Sequence, residues 1–281
     1  MPPSSADAAR LATLSPPNPS FPLTSAALLI ALSGPSSSGK TTLARLLRDA
    51  LPASYILHED DFYKTDVDIP RRADGVQDWD CLDAIDAPAL RAALAHIRDA
   101  GTPPPDFVSK EDQNAVGECG VDSAAIERAA DRLRSFFARP DVREHWAERR
   151  IALIDGFLLY SKEMAELGVR DAFDIKLFLR TSHQTAKQRR EARSGYVTLE
   201  GFWEDPPGYV DDIVWPNYVK DHEFLFKDGN VEGELDEDVC RKIGIQGMPK
   251  EAEGNMSVCL EWATGVIIEK LSEQLGVGTD A

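Results

Sequence analysis

Residues 34–42 read Gly-Pro-Ser-Ser-Ser-Gly-Lys-Thr-Thr and match the G-x-x-x-x-G-K-[ST] pattern of a phosphate-binding loop, or P-loop. The apolar run 26–32 precedes the pattern, and residues 43–47 follow it with the spacing of an amphipathic helix. A buried strand before the loop and a helix after it are the context in which this pattern binds nucleotides. The stretch therefore predicts a nucleotide phosphate site, without yet separating a kinase from an ATPase or a GTPase.

The residues of this loop have different expected roles. Gly34 lets the chain leave the strand and Gly39 lets the backbone approach a phosphate oxygen, so the intervening N–H groups form an anion-binding nest. Lys40 is expected on the β- and γ-phosphates, and the Thr41 hydroxyl on Mg²⁺. The nucleotide ligands predicted in this loop are Gly34, Ser36, Ser37, Ser38, Gly39, Lys40, Thr41 and Thr42.

The composition argues against several classes of partner. A formal net charge of −17 disfavours broad contact with nucleic acid or an anionic membrane. The four cysteines have no C-x-x-C spacing, which is typical of reduced thiols in a cytoplasmic protein. No stretch approaches the roughly 20 apolar residues that span a bilayer. Residues 1–25, rich in Ser, Pro and Ala, predict a flexible tail rather than a signal peptide.

Carboxylates follow two predicted strands. The short run 55–57 leads into HEDDFYK at 58–64, and the apolar run 151–160 carries Asp155. Acids at the carboxyl ends of strands beside a P-loop strand lie where open α/β sheets bind ligands. We expect Asp60 to lie between Mg²⁺ and an acceptor hydroxyl and to take the proton of that hydroxyl. A plain acidic loop at 58–64 is the alternative interpretation.

A basic helix follows the next predicted strand, 174–179. Ser182 caps it, and it carries Lys187, Arg189, Arg190 and Arg193. A solvated basic face is the common interpretation of such a run. In an acidic chain with a P-loop, a lid whose guanidinium groups clamp transferring phosphates is the alternative we favour. Arg189 and Arg193 are expected to face the nucleotide together, while Arg190 points toward the acceptor.

Three segments carry a family resemblance. The P-loop followed about twenty residues later by DDFYK at 60–64 resembles the uridine kinase and nicotinamide riboside kinase group. WDCLDAID at 79–86 is similar to the acidic segment that binds ribose hydroxyls in these kinases. DPPGY at 205–209 and VWPNY at 214–218 resemble the nicotinamide riboside kinase pattern that follows the lid. The resemblance covers residues 26–100 and 150–230.

The resemblance implies ATP- and Mg²⁺-dependent phosphorylation of a nucleoside 5′-hydroxyl, with nicotinamide riboside as the favoured acceptor. It implies Mg²⁺ ligands among Thr41, Asp60 and Asp155, and backbone contacts to adenine at Asp228 and Gly229. The family carries Glu at the position of Asp155, so a water-mediated contact of this shorter side chain is expected. Catalysis is assigned to Asp60, Lys40, Arg189 and Arg190. The substrate side is assigned to Asp60, Asp61, Tyr63, Trp79, Asp80, Asp155, Arg190, Tyr196, Trp203 and Asp205.

Several alternatives stay open at this stage. Asp80 is expected on the ribose hydroxyls, while Trp79, Tyr196, Phe202 and Trp203 all compete to stack on the base. Uridine/cytidine kinase is the main competing activity. A GTPase should show an N-K-x-D motif, which is absent, and a non-catalytic nucleotide-binding protein should have lost Lys40, Asp60 or the lid arginines.

The predicted architecture is one doubly wound parallel α/β domain of the P-loop kinase type over 26–281, with a helical lid. Helices are expected at 40–51, 87–99, 123–149 and 258–275, and a last strand at 223–226. Residues 101–148 and 231–255 are expected to be insertions, and we interpret them as surface elaborations. The expected partner is a small-molecule nucleoside, and the expected assembly is a monomer or a small homo-oligomer.

Overall fold

The computed structural model describes residues 25–110, 119–193, 195–198 and 200–279. The predicted N-terminal tail, except for Ser25, lies outside these residues. In chain order the helices are α1 (Lys40–Ala50), α2 (Ala87–Ala100), α3 (Ser123–Ala138), α4 (Pro140–Trp146), α5 (Lys162–Glu166), α6 (His183–Glu191), α7 (Trp215–His222), α8 (Glu237–Ile243) and α9 (Met256–Leu275). A π-helical turn, Val210–Val214, precedes α7. None of the helices within these ranges has the length and apolar character needed to cross a membrane.

A five-stranded parallel sheet organises these helices. Its strands are β1 (Ala27–Ser33), β2 (Ser54–His58), β3 (Arg150–Gly156), β4 (Ile175–Phe178) and β7 (Ile245–Gly247), in the spatial order β2-β3-β1-β4-β7. A separate antiparallel hairpin contains β5 (Tyr196–Val197) and β6 (Phe202–Trp203). The parallel sheet between helical layers confirms the predicted doubly wound α/β fold.

The central strand β1 supplies both faces of the core. Leu28, Ile30 and Leu32 pack with α1, α3 and α9 on one face. The alternate residues of β1 pack on the other face with α2 and the segments around Tyr160 and Phe226. Successive side chains of a strand point to opposite faces, so one apolar run divides itself between two cores. All seven residues of β1 are buried as a result.

The register of the strands brings the predicted acids to one edge. Leu32 of β1 pairs with Asp155 of β3, and Asp155 pairs with His58 of β2. The P-loop leaves β1 at this same edge, because parallel strands all end on the same side of the sheet. The ends of β1, β2 and β3 therefore converge on one place.

The helices at 123–146 belong to the core and are not a surface elaboration. Leu133 and Phe136 of α3, and Trp146 of α4, are buried in the core cluster that also contains α1 and α9. The single helix predicted for 123–149 is broken between α3 and α4. Pro140 lacks an N–H and disfavours a helical conformation in the preceding residue, and Arg139 is accordingly extended at φ −58°, ψ 137°.

The C-terminal strand prediction is wrong. Residues Glu223–Leu225 form a 3-10 turn, and the last strand is β7, inside the segment 231–255 that the sequence predicts to be a surface insertion. Short apolar runs do not distinguish a strand from a buried turn, and Leu225 and Phe226 are buried without joining the sheet. β3 also ends before the predicted limit, because Glu59 accepts the N–H groups of Phe157 and Leu158.

Candidate active site

A cavity of about 110 Å³ lies where β1, β2 and β3 end. It gathers most of the residues predicted for phosphate, metal and nucleoside binding. The predicted residues that line it are Ser36, Ser37, Gly39, Lys40, Thr41, Thr42, Asp60, Tyr63, Trp79, Asp80, Asp155, Arg190, Arg193, Tyr196 and Trp203. We refer to it below as the transfer cavity.

Two positions of the P-loop have backbone conformations and close contacts that require glycine. Gly34 has φ 143°, and a Cβ there would lie 2.4 Å from the carbonyl oxygen of Leu179. Gly39 has φ 100°, and a Cβ there would lie 2.5 Å from Cε of Met256. Lys40 Nζ donates to the Pro35 carbonyl at 2.9 Å, so its ammonium lies across the loop. Burial lowers the pKa of Lys40, and the charges of Asp155 and Asp60 oppose that shift.

Asp155 connects the P-loop helix to β2. One of its oxygens accepts from Thr41 Oγ1 at 2.5 Å, and the other lies 2.5 Å from His58 Nδ1. Burial of Asp155 favours its neutral form, but the contacts with His58, Thr41 and Lys40 hold its pKa below the usual value. Asp155 is therefore a carboxylate in this site.

The donors at this edge fit Mg²⁺. Thr41, Asp60 and Asp155 offer hydroxyl and carboxylate oxygens within one cavity. Among the described residues there is no group of three His, Cys, Asp or Glu side chains that could hold a metal by itself. Magnesium at phosphoryl-transfer sites needs no such cage, because one or two carboxylates, waters and the nucleotide phosphates complete its six ligands.

The two predicted aspartates of the 3-10 turn Glu59–Phe62 separate. Asp60 lines the transfer cavity, whereas Asp61 does not. Asp61 Oδ1 instead accepts the backbone N–H of Lys110 at 2.6 Å. The preceding Glu59 is fully buried, and burial raises its pKa to about 7. The prediction of Asp61 as a substrate ligand is therefore replaced by a contact with the 101–110 segment.

A buried ionic cluster holds the predicted ribose-binding residue. Arg190 donates through Nη1 and Nη2 to the two oxygens of Asp80 at 2.7 and 2.8 Å. Its Nε donates to Asp205 at 2.6 Å, and Nη1 also reaches Ser36 Oγ at 3.1 Å. Burial raises the pKa of Asp80, and the paired guanidinium opposes that shift. Arg190 thus ties the lid helix α6 to both the P-loop and the nucleoside side.

Aromatic rings line the wall beside this cluster. Trp79 and Trp203 lie 5.6 Å apart between ring centroids, and Trp203 Nε1 donates to Asp205 at 2.8 Å. Tyr196 pairs with Trp203 across the β5–β6 hairpin, and the Arg190 guanidinium lies 5.3 Å from the Tyr196 ring centroid. Phe202 is 58% exposed and does not line the cavity. Of the candidates for base stacking, the structure therefore places Trp79, Tyr196 and Trp203 at the site.

A second cavity of about 320 Å³ adjoins the other side of the P-loop. Arg189 of α6 and Arg193, two residues beyond its end, both line it, although the helix that the sequence predicts to carry both arginines ends at Glu191. Other parts of its wall come from Cys119 and Gly120, from Arg180 after β4, and from Met248–Cys259, which include the start of α9. We refer to it below as the nucleotide-side cavity.

Asp228 and Gly229 line neither cavity. They follow Phe226, which packs in the core on the α2 side of the sheet, whereas the nucleotide-side cavity opens toward α9. The structure therefore does not bring the predicted adenine contacts at Asp228 and Gly229 together with the other predicted nucleotide ligands. Arg180, which lines the nucleotide-side cavity, has no role in the sequence analysis, although it stands directly after the predicted strand 174–179.

Comparison with known proteins places these residues in a family. No family model matches the chain. A nicotinamide riboside kinase of Schizosaccharomyces pombe is 41% identical over 215 residues, which cover 76% of this chain and 86% of that protein. A nicotinamide riboside kinase of Saccharomyces cerevisiae is 34% identical over 211 residues, 74% of this chain and 83% of that one. The chain belongs to the nicotinamide riboside kinase family.

About a quarter of the chain lies outside the alignments with these two nicotinamide riboside kinases. Among solved structures, a sugar kinase from Janibacter sp. HTCC2649 has a TM-score of 0.33 at 15% identity, covering 85% of this chain and 98% of that one. A likeness this low carries no argument.

Among the site residues of this nicotinamide riboside kinase family member, the sequence analysis assigns no role to His58, Glu59 and Lys110. His58 holds Asp155, Glu59 holds the turn after β3, and Lys110 lines the transfer cavity. His58 and Glu59 stood next to Asp60 at a strand end, which was a usable signal. Lys110 had none, because it lies in a polar stretch far from every motif.

Proposed function

We propose that this chain transfers the γ-phosphoryl group of ATP to the 5′-hydroxyl of nicotinamide riboside and so forms nicotinamide mononucleotide. The observation that carries the proposal is the convergence of Lys40, Asp60 and Asp80 in one cavity. A phosphate-binding ammonium, a base and a ribose-binding carboxylate are the three groups that a nucleoside kinase must bring together. The identity of the relatives supports the choice of acceptor.

On this proposal, the oxygen of the 5′-hydroxyl attacks the γ-phosphorus of ATP while Asp60 accepts the proton of that hydroxyl, and the bond from the γ-phosphorus to the bridging oxygen breaks to release ADP. The P-loop N–H groups and Lys40 bind the β- and γ-phosphates, and the arginines of α6 stabilise the negative charge on the transferring group. Thr41, Asp60 and Asp155 would hold Mg²⁺, which neutralises charge on the phosphate oxygens when bound. The wall of aromatic rings and the lid helix exclude water that would otherwise hydrolyse ATP.

The nucleoside occupies the end of the transfer cavity formed by Asp80 and the aromatic wall. Asp80 and Arg190 present a carboxylate and a guanidinium to the ribose hydroxyls. Nicotinamide riboside carries a fixed positive charge on its ring, so the faces of Tyr196, Trp79 and Trp203 and the carboxylate of Asp205 suit it. ATP enters from the other side, with its base in the nucleotide-side cavity and its phosphates between Arg189, Arg193 and the P-loop.

The proposal also includes the compartment, the class of partner and the assembly of the enzyme. We place the enzyme in the cytoplasm, since all four cysteines are free thiols and two of them are buried. Its partner is a small-molecule nucleoside, and it binds neither nucleic acid nor membranes. It is a monomer or a small homo-oligomer. Size-exclusion chromatography with light scattering measures that assembly directly.

The test is a comparison of acceptors with the purified protein and Mg-ATP. We expect kcat/KM for nicotinamide riboside to exceed the values for uridine and cytidine. Asp60→Asn serves as the inactive control, so that a contaminating kinase is detected. A clear preference for uridine or cytidine would overturn the acceptor. Absence of phosphorylation with all nucleosides would overturn the enzymatic proposal.

A further inference from the structure

The segment after α2 contacts the reaction site at two points. The ring of Phe107 stacks on that of Phe62 with centroids 5.6 Å apart and an interplanar angle of 22°. Three residues later, the backbone N–H of Lys110 donates to Asp61 Oδ1 at 2.6 Å. Both partners belong to the turn that carries Asp60. The segment 107–110 is therefore fixed to the catalytic turn and not merely adjacent to it.

This attachment makes Lys110 part of the transfer cavity. Lys110 lines that cavity together with Lys40 and Asp60. The two lysines enter from different sides, because Lys40 follows β1 whereas Lys110 is held by the turn after β2, and β3 lies between those strands. Lys40 thus serves the side of the donor phosphates, and Lys110 stands on the side where the acceptor oxygen must lie.

The carboxylates of the transfer cavity explain what an ammonium group at Lys110 can do. Asp60, Asp80 and Asp155 all line the transfer cavity, so a phosphate newly attached to the acceptor oxygen meets several carboxylates. An added ammonium on the acceptor side offsets this repulsion, and a charge-assisted contact of this kind is among the stronger hydrogen bonds in proteins. A neutral hydroxyl at the same place gains little from it.

We propose that Asp61 is a positioning residue that holds segment 107–110 against the catalytic turn, and that Lys110 thereby binds the phosphate formed on the nucleoside 5′-oxygen. This inference rests on the proposed phosphoryl transfer and adds to it a residue that recognises the phosphomonoester. It also explains why the second aspartate of the turn faces away from the cavity.

The experiment compares the affinity of the enzyme for nucleoside and for nucleoside monophosphate by calorimetry. Lys110→Ala should weaken binding of nicotinamide mononucleotide by about tenfold, the size of one charge-assisted contact, and that of nicotinamide riboside by less than about twofold. Lys110→Arg should retain most of the affinity for the monophosphate. Lys220→Ala, at an exposed position on α7, is the matched control and should change neither affinity.

The role of Asp61 is tested in the same assay. Asp61→Ala should reproduce the selective loss of monophosphate affinity, and the double variant with Lys110→Ala should lose no more than Lys110→Ala alone. Asp61→Asn should bind like the wild type, because the amide oxygen still accepts the Lys110 N–H. Equal weakening of nucleoside and monophosphate in Lys110→Ala, or no weakening of either, would overturn the inference.

Uridine and uridine monophosphate are measured in parallel to separate the two proposals. If the wild type prefers the uridine pair, the proposed acceptor is wrong, and the effect of Lys110→Ala is then read on uridine monophosphate against uridine. A selective loss there supports the role of Lys110. An unselective one overturns it.

Discussion

Asp155 is held at both ends: Thr41 Oγ1 donates to one oxygen and His58 Nδ1 lies against the other, each at 2.5 Å. The carboxylate is buried, so these two hydrogen-bond partners set its orientation, and together with Lys40 they keep it ionised. His58 comes from β2 and Thr41 from α1. The position of the predicted metal ligand therefore depends on the pairing of β2 with β3.

The contact of His58 with Asp155 predicts an effect on the metal. His58→Ala should raise the Mg²⁺ concentration required for half-maximal activity by about 10- to 100-fold, the usual effect of losing a residue that orients a metal ligand. A magnesium titration at saturating substrates measures it. His145→Ala, on the exposed side of α4, should leave the titration unchanged. An unaltered Mg²⁺ requirement in His58→Ala would show that Thr41 alone orients Asp155.

Asp60 should be the general base. Asp60→Asn removes the proton acceptor and should lower kcat by about 10²- to 10⁴-fold, while affinity for ATP changes far less. Steady-state kinetics and nucleotide binding separate the two effects. Asp106→Asn is the control, since that carboxylate is exposed on the 101–110 segment. Retention of more than half the activity in Asp60→Asn would remove Asp60 from the chemistry.

The aromatic wall should distinguish a charged base from a neutral one. Trp203→Leu should reduce kcat/KM for nicotinamide riboside by up to about thirtyfold more than for uridine, because a cation–π contact in a closed site is worth about 2 kcal/mol. Phe202→Leu on the same hairpin should affect neither substrate, since that ring is exposed. Trp79 is a poorer choice for this test, because it is 5% exposed and its removal would destabilise the fold. A parallel loss for both nucleosides would mean that Trp203 merely shapes the cavity.

The lid arginines should act on the transition state. Arg189→Ala should lower kcat/KM considerably more than it weakens binding of a non-hydrolysable ATP analogue, because negative charge spreads over the transferring group only during reaction. Lys187→Ala is the control on the same helix, where Lys187 pairs with Asp211 at the surface. If analogue affinity and kcat/KM fall equally, Arg189 binds only the ground-state nucleotide.

His222 should make stability depend on pH. It is fully buried between the rings of Tyr218 and Phe178, and burial lowers its pKa from 6.5 to about 4. The folded protein therefore keeps His222 neutral. The stability that buried His222 contributes is fully present above pH 6.5 and is lost as the pH falls toward 4. Across that interval the free energy of unfolding should fall by roughly 3 kcal/mol more in the wild type than in His222→Gln. Urea unfolding at several pH values measures this difference. An equal pH dependence of the free energy of unfolding in both proteins would show that protonation of His222 does not destabilise the fold.

Local patterns in the sequence were sufficient for the P-loop edge of the sheet. A glycine-rich loop between a strand and a helix, and acids directly after apolar runs, are short-range signals that depend on parallel strands ending together. That is why Lys40, Thr41, Asp60 and Asp155 could be placed before their distances were known. The helical spacing of Arg189 and Arg193 predicts that they face the nucleotide together, and both line the nucleotide-side cavity although Arg193 lies beyond the end of α6.

What failed depends on contacts between distant segments. β7 has three residues, and its pairing with β4 does not show in a run that short. In the sequence Asp61 cannot be distinguished from its neighbour Asp60, because the difference comes from the N–H of Lys110, 49 positions later, which donates to Asp61 Oδ1. The sequence predicts Arg190 toward the acceptor but not its bidentate pair with Asp80, because that pair depends on how α6 lies against the 78–80 loop. No local spacing encodes such pairings.

The late position of β7 and α9 has a consequence for synthesis of the chain on the ribosome. The edge partner of β4 and a large part of one core, including the Met256 side chain beside Gly39, come from residues after 244. A nascent chain that already exposes its P-loop therefore lacks part of the wall beside Gly39, and one side of β4 stays unpaired until β7 has been synthesised. We expect ribosome-bound chains ending before 245 to bind no ATP and to recruit chaperones, which crosslinking on stalled ribosomes would reveal. ATP bound by such a shortened chain would contradict this dependence.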